Sequence, residues 1–189
     1  LLEDAVTRLA ASDTDELMAL IGSDDEPVSL EAMRRAGDLK SPAAVPHLAR
    51  ALGSSSETTR AAAIGALAEI ASPGAMQLLE RSIEDEDRDI RLAALKACTE
   101  RQHRPTIGRL ERALKDRLLR DGSSVEKSAF FDAYATLGAD YAIPLLEKIL
   151  LPKGLLERKE DPIMRASAAM ALGKFGSERA LHILRKAAD

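Results

Sequence analysis

Four cations punctuate this chain at matching places: Arg60, Arg91, Lys127 and Arg165. Each opens a run of small and apolar residues: "RAAAIGALAEI", "RLAALKACTE", "KSAFFDAYATLG" and "RASAAMALGKFG". A guanidinium held at a fixed place either pairs with carboxylates, which makes a structural joint, or meets an anionic ligand. Acidic turns, "EDED" from Glu84 and "KEDP" from Lys159, precede two of the runs. The series therefore reads as a ladder in which Arg60, Arg91, Lys127 and Arg165 bond acidic turn residues between neighbouring units. The competing reading is a basic ladder for an anionic partner. The two exclude each other, since an arginine paired within the chain is not free.

Other reactive residue types lack a pattern. His47, His103 and His182 stand at unrelated positions, and no HExxH or CxxC spacing offers a zinc site. Phosphate-cradling GxGxxG and Walker loops are missing, as is a nucleophilic GxSxG. The carboxylates lie in turns or on polar faces, where a solvated role suffices. Cys98 aligns with Leu67 and Leu172, which makes it a small core residue. Phe130, Phe131 and Tyr134 form the one aromatic cluster; helical spacing places them in the core, and the sharper alternative is a surface anchor for a partner. No catalytic residue, cofactor or metal is expected.

These residues need helices to position them. The chain has 189 residues, 46% of them apolar but only 3% aromatic, so its core is built from Ala and Leu. Alanine favours helix and lets helices approach closely, and strand signatures are missing. With Ser29 as a further equivalent position, the starts fall at 29, 60, 91, 127 and 165, at intervals of 31, 31, 36 and 38 residues. After each signature helix comes a break ("SPAA", "SPGA", "GSER"), then a second amphipathic helix: "AVPHLARAL", "AMQLLERSI", "AIPLLEKIL", "ALHILRKAA". A degenerate first pair is expected at Leu2–Ala11 and Thr14–Ile21, with Asp13 as a cap. Two stretches lengthen the period: "DRLLRDGSSVEK" from Asp116 and "LPKGLLERKEDP" from Leu151. The second sets Lys153, Arg158 and Lys159 around Leu155 and Leu156, which reads as a grip for an acidic amphipathic partner or as a solvated basic helix end.

On "EDEDRDIRLAALKA" and "KEDPIMRASAAMALGKFGSERALHILRKA" the chain resembles HEAT repeats, in particular the short HEAT-like type of bacterial phycobilin lyases. Asp85, Ile90 and Arg91 fit that signature, as do Asp161, Met164 and Arg165; Ser29 loses the arginine and Lys127 keeps only the charge. The resemblance implies an all-α, right-handed α-solenoid of about six helical hairpins, with units near 1–22, 24–53, 54–84, 85–120, 121–151 and 152–189. It implies a non-catalytic scaffold that binds another protein along the concave side, which signature helices line. The outward strip then holds Leu30, Arg34, Asp38, Ala61, Gly65, Glu69, Leu92, Lys96, Glu100, Ser128, Asp132, Thr136, Ala166, Met170 and Lys174. Binding residues are expected at Arg34, Leu92, Lys96, Asp132, Met170 and Lys174, with Leu155 and Arg158 on the second insertion. A bilin lyase or chaperone-like accessory protein is the alternative, and a DNA-binding HEAT-like protein stands behind it. A net charge of −4 speaks against nucleic acid. A lone cysteine and the lack of an apolar run long enough for a membrane span fit a cytoplasmic protein, and the resemblance implies a bacterial one. The uncapped ends suggest a fragment of a longer chain, or self-association.

Overall fold

A computed structural model describes residues 14–151 and 161–188. The expected helix at Leu2–Ala11, the cap at Asp13, and Leu155, Arg158 and the other residues of the second insertion between 152 and 160 lie outside the described residues. Among the described residues all regular structure is helical.

The chain divides into two compact units, residues 1–101 and 102–189. The first holds α1 (Thr14–Ile21), α2 (Glu26–Asp38), α3 (Val45–Ala51), α4 (Glu57–Ile70), α5 (Pro73–Ser82) and α6 (Arg88–Glu100). The second holds α7 (Ile107–Ala113), α8 (Arg117–Asp121), α9 (Ser124–Gly138), α10 (Ile143–Leu150), α11 (Pro162–Gly173) and α12 (Glu178–Ala188). The signature helices are α2, α4, α6, α9 and α11. In the first unit α2 packs on α4 and α4 on α6; in the second α9 packs on α11. The stretch from Asp116 is where α8 and the turn to the Ser123 cap lie.

Every signature helix starts on a short polar cap. Asp25 accepts from the Val28 amide at 3.3 Å, Ser56 from Thr59 at 3.2 Å, Asp87 from Asp89 at 2.8 Å, Ser123 from Glu126 at 3.2 Å and Asp161 from Ile163 at 3.0 Å. Each such bond satisfies an amide that the first helical turn leaves open. Pro27, Pro73 and Pro162 sit in first turns, where a missing N–H costs nothing. Between the two helices of five hairpins among the described residues one residue turns left-handed: Lys40, Ala71, Gln102, Ala139 and Gly176, with φ of 48°, 48°, 52°, 45° and 60°. Gly138, which aligns with Gly176, stays right-handed at φ −82°, and the positive φ falls on Ala139. Gly138 has a different reason to be small: an added Cβ would come within 3.1 Å of the Ala142 Cβ.

Close approach also shapes the first unit. A Cβ on Gly37 would stand 3.1 Å from the Ala66 Cα, so α2 and α4 meet nearly backbone to backbone. Around such contacts Leu17, Met33, Leu48, Leu67, Leu79 and Ile90 are buried. Phe130, Phe131 and Tyr134 are buried too, at 2%, 0% and 1% exposure, so none is a surface anchor. Each side chain of this size removed from water stabilises by about 1.5–3 kcal/mol.

Candidate functional site

The cation ladder comes first. Arg60 donates to the Asp87 carboxylate at 3.0 Å and to the Ser54 carbonyl at 3.0 Å. Asp87 is the cap of the following signature helix, α6, so this pair joins two repeats. Lys127 makes the corresponding joint in the second unit: its Nζ lies 2.6 Å from Asp161 Oδ2, and Asp161 caps α11. Arg91 donates to the Asp85 and Glu86 carbonyls at 2.8 Å each. Arg165 donates from Nε to the Leu150 carbonyl at 3.2 Å, and Ser29 gives its hydroxyl to the Ile21 carbonyl at 2.7 Å. Lys127 is only 4% exposed, so its ammonium depends on Asp161 for charge balance. The Lys127 hydrogen bond, with the cap amide of Ile163, holds the Asp161 carboxyl below its ordinary range. For Asp87 the cap amide of Asp89 does most of this work, with Arg60 adding to it.

The outward strip differs between the units. In the first it carries ion pairs. Arg34 bonds Glu31 and reaches Asp38 at 2.6 Å, Lys96 faces Glu100 at 3.8 Å, and Glu69 faces Arg101 at 3.7 Å. The Arg34 bond lowers the Glu31 carboxyl. Leu92 is half-buried on α6, and Gly65 has open space around it. In the second unit the strip borders an open groove of about 680 Å³ between α9 and α11. Ser128, Ala129, Ala166 and Ser167 are small residues along it, and Val125, Ile163 and Met170 add larger apolar side chains. Those three are 62%, 42% and 62% exposed, and the other exposed large apolar residues described are Leu39 and Tyr141. Asp132, on the groove wall, is paired with Lys174 at 2.9 Å. Sequence reading singled out Met170, Asp132 and Lys174 but missed Val125 and Ile163. Both lie two residues before the ladder cation, Lys127 and Arg165, so a strip counted from the cation onward starts too late.

Among the described residues the histidines and the cysteine do not gather. His47 Nδ1 lies 3.0 Å from an Arg50 nitrogen, His103 is half-buried and His182 is exposed, each on a separate hairpin. Cys98 is buried. Burial pushes the Tyr134 phenol above its ordinary range, away from proton transfer near neutrality. Glu57, Asp87 and Asp89 bring carboxylate oxygens within 4.8 Å of one another. Asp87 there is committed to its helix cap and to Arg60, and Glu57 and Asp89 are exposed, as surface acids commonly are. A larger cleft of about 740 Å³ lies among α1, α2, α3 and the start of α4. Several of its polar groups are already bonded to one another or to backbone: Ser29 to Ile21, and Ser56 and Thr59 to Glu26. The apolar groove thus stands out as the site with unmet contacts.

Stacked helical hairpins with quasi-equivalent joints define an α-solenoid of the HEAT/armadillo class. Residues 14–99 match the HEAT repeats family, and residues 164–189 match the PBS lyase HEAT-like repeat. The chain belongs to the HEAT-repeat family. Among solved structures it resembles a chain in the complex of CpcE and CpcF of phycocyanin lyase from Nostoc sp. PCC7120, at 22% identity and a TM-score of 0.60. That match covers 87% of this chain and 65% of the other, so this chain spans less than two thirds of its length. A designed armadillo repeat protein matches at 19% identity and a TM-score of 0.52, covering 93% of this chain and 88% of its own. At such identities the likeness concerns the fold. No curated protein matches the sequence.

Proposed function

We propose that this protein is a non-catalytic binding scaffold whose second unit docks an apolar segment of another protein in the groove between α9 and α11. The observation that carries the reading is the clustering of Val125, Ile163 and Met170, three exposed apolar side chains, around one groove floored by small residues. Exposed apolar patches of this kind mark interaction sites. Small floor residues leave room for a partner's aliphatic side chains, and the Asp132–Lys174 pair supplies a polar edge.

The test compares partners captured from a native host extract by the wild-type chain and by Val125→Asp/Met170→Asp. Both positions are mostly exposed, so the variant keeps its helical signal and unfolding midpoint. A partner retained by wild type and lost by the variant supports the groove, with affinity falling at least about tenfold. An identical partner profile from a folded variant sinks it.

The match of residues 164–189 to the PBS lyase HEAT-like repeat favours one second reading, an accessory role in bilin attachment. Titrating a bilin into the chain tests it. A visible absorbance shift that Val125→Asp/Met170→Asp removes would move the groove from a protein partner to a pigment.

A further inference from the structure

The sulfur atoms of this chain are few and unequally shielded. It holds five methionines and one cysteine. Met18 and Met76 are 6% exposed, and Met33, Met164 and Cys98 are 0% exposed. Met170 is 62% exposed. An oxidant in solution therefore meets one open thioether, while every other sulfur is shielded by packing.

Its placement is as particular as its exposure. Met170 stands five residues after its ladder cation, Arg165, and the equivalent residues of the other signature helices are Arg34, Gly65, Lys96 and Asp132. Those copies stack with a charged residue or glycine there, so the packing of the repeats does not ask for a methionine. On α11 Met170 follows Ile163 by seven residues and Ala166 by four, which puts all three on one helical face. They line the groove together with Val125 of α9. A flexible, polarisable thioether suits contact with an irregular apolar surface. Its sulfoxide is polar and chiral, and a partner that covered it would have to strip water from a strong acceptor. The helix itself stays in place, because Met164, Ala168, Ala171 and Leu172 fill its covered face.

We propose that Met170 is a reversible oxidation site that switches the groove between a docking and a non-docking state. The switch rests on the docking role proposed above for that groove. In the forward step the thioether sulfur attacks hydrogen peroxide. The O–O bond breaks as the S–O bond forms, and the sulfur gives up two electrons. The proton of the transferred oxygen passes to the departing one, which leaves as water. The return step belongs to methionine sulfoxide reductases working with a dithiol: the oxygen leaves as water, the thioether is restored and the dithiol becomes a disulfide.

The experiment exposes the chain to graded hydrogen peroxide, removes the peroxide, maps each methionine by peptide mass and then offers the host extract of the docking test. Met170 should gain an oxygen at least about tenfold faster than Met18, Met33, Met76 and Met164, with the urea midpoint unchanged. Capture of the partner that Val125→Asp/Met170→Asp loses should then fall by more than about tenfold, and reductases for both sulfoxide epimers should restore it. Met170→Leu, compared with its own untreated sample, should lose nothing to the same dose. Oxidation spread evenly over the methionines overturns the proposal, as does an equal loss of capture by peroxide-treated Met170→Leu. Complete oxidation of Met170 with capture undiminished overturns the switch and leaves the docking role standing. An extract that yields no partner dependent on Val125 and Met170 ends the docking role and the switch together.

Discussion

The two compact units use the same helix pair to make unlike surfaces. On the first, the signature helices hold their outward charges in pairs, Arg34 with Glu31 and Asp38, Lys96 with Glu100, Glu69 with Arg101. On the second, equivalent and neighbouring positions carry Val125, Ile163 and Met170 around a groove. The joints differ as well. Arg60, the more accessible cation, shares its bonds between Asp87 and a carbonyl, whereas Lys127 is sealed in and bonds Asp161. A repeat protein can vary either feature without disturbing the stack, because the packing positions and the outward positions lie on different faces of one helix. The first unit thus pairs its outward charges, and the second exposes apolar side chains around a groove.

The largest expected contrast concerns the joints. Asp161→Ala leaves the Lys127 ammonium buried without its partner and uncaps α11, at a cost of about 2–4 kcal/mol in urea unfolding, moderated by the part-exposure of Asp161. Asp87→Ala should cost less, because Arg60 keeps the Ser54 carbonyl and lies nearer solvent. Equal costs would break the distinction between the two joints. Next comes binding: Val125→Asp/Met170→Asp should abolish capture of the partner, while Arg34→Ala/Lys96→Ala should change it only a few-fold.

Acid comes third. Asp161 and Asp87 titrate lower in the folded chain than in the unfolded one. Their contribution is therefore complete above the ordinary carboxylate range and fades as pH falls through it, below about 4. Unfolding midpoints measured down that range should decline, and Lys127→Met should flatten the share due to Asp161. The smallest effect belongs to the hairpin turns. Ala71→Gly should raise stability by roughly 0.5–1 kcal/mol, because Ala71 is left-handed at φ 48° and glycine bears that conformation without a Cβ penalty. Gly176→Ala should lower stability by a similar amount; thermal melts of both variants check the sign.

Much of the fold was legible because repetition turns local patterns into a global statement. A cation followed by alanines at intervals of 31 to 38 residues predicts signature helices. The helix ending at Ile21 was readable. The groove was half legible: Met170 was readable as an apolar residue on an outward strip, but Val125 and Ile163 look like first-turn packing residues until the neighbouring helix is seen to leave them open. Leu92 shows the opposite case, an outward-reading position that its surroundings half cover. Glycine alignment also misled, since Gly138 answers to the nearness of Ala142 while Ala139 bears the unusual dihedral.

By itself, then, the sequence determined the period, the helical class, the caps and the cations that join repeats, because these depend on residues a few places apart along one helix. Tertiary structure decided which equivalent positions are covered. Leu184 and Leu79 are the same residue in the same local pattern, yet one is half-buried and the other wholly so. Burial is a property of the neighbouring hairpin, and helical periodicity carries no information about whether a neighbour is there.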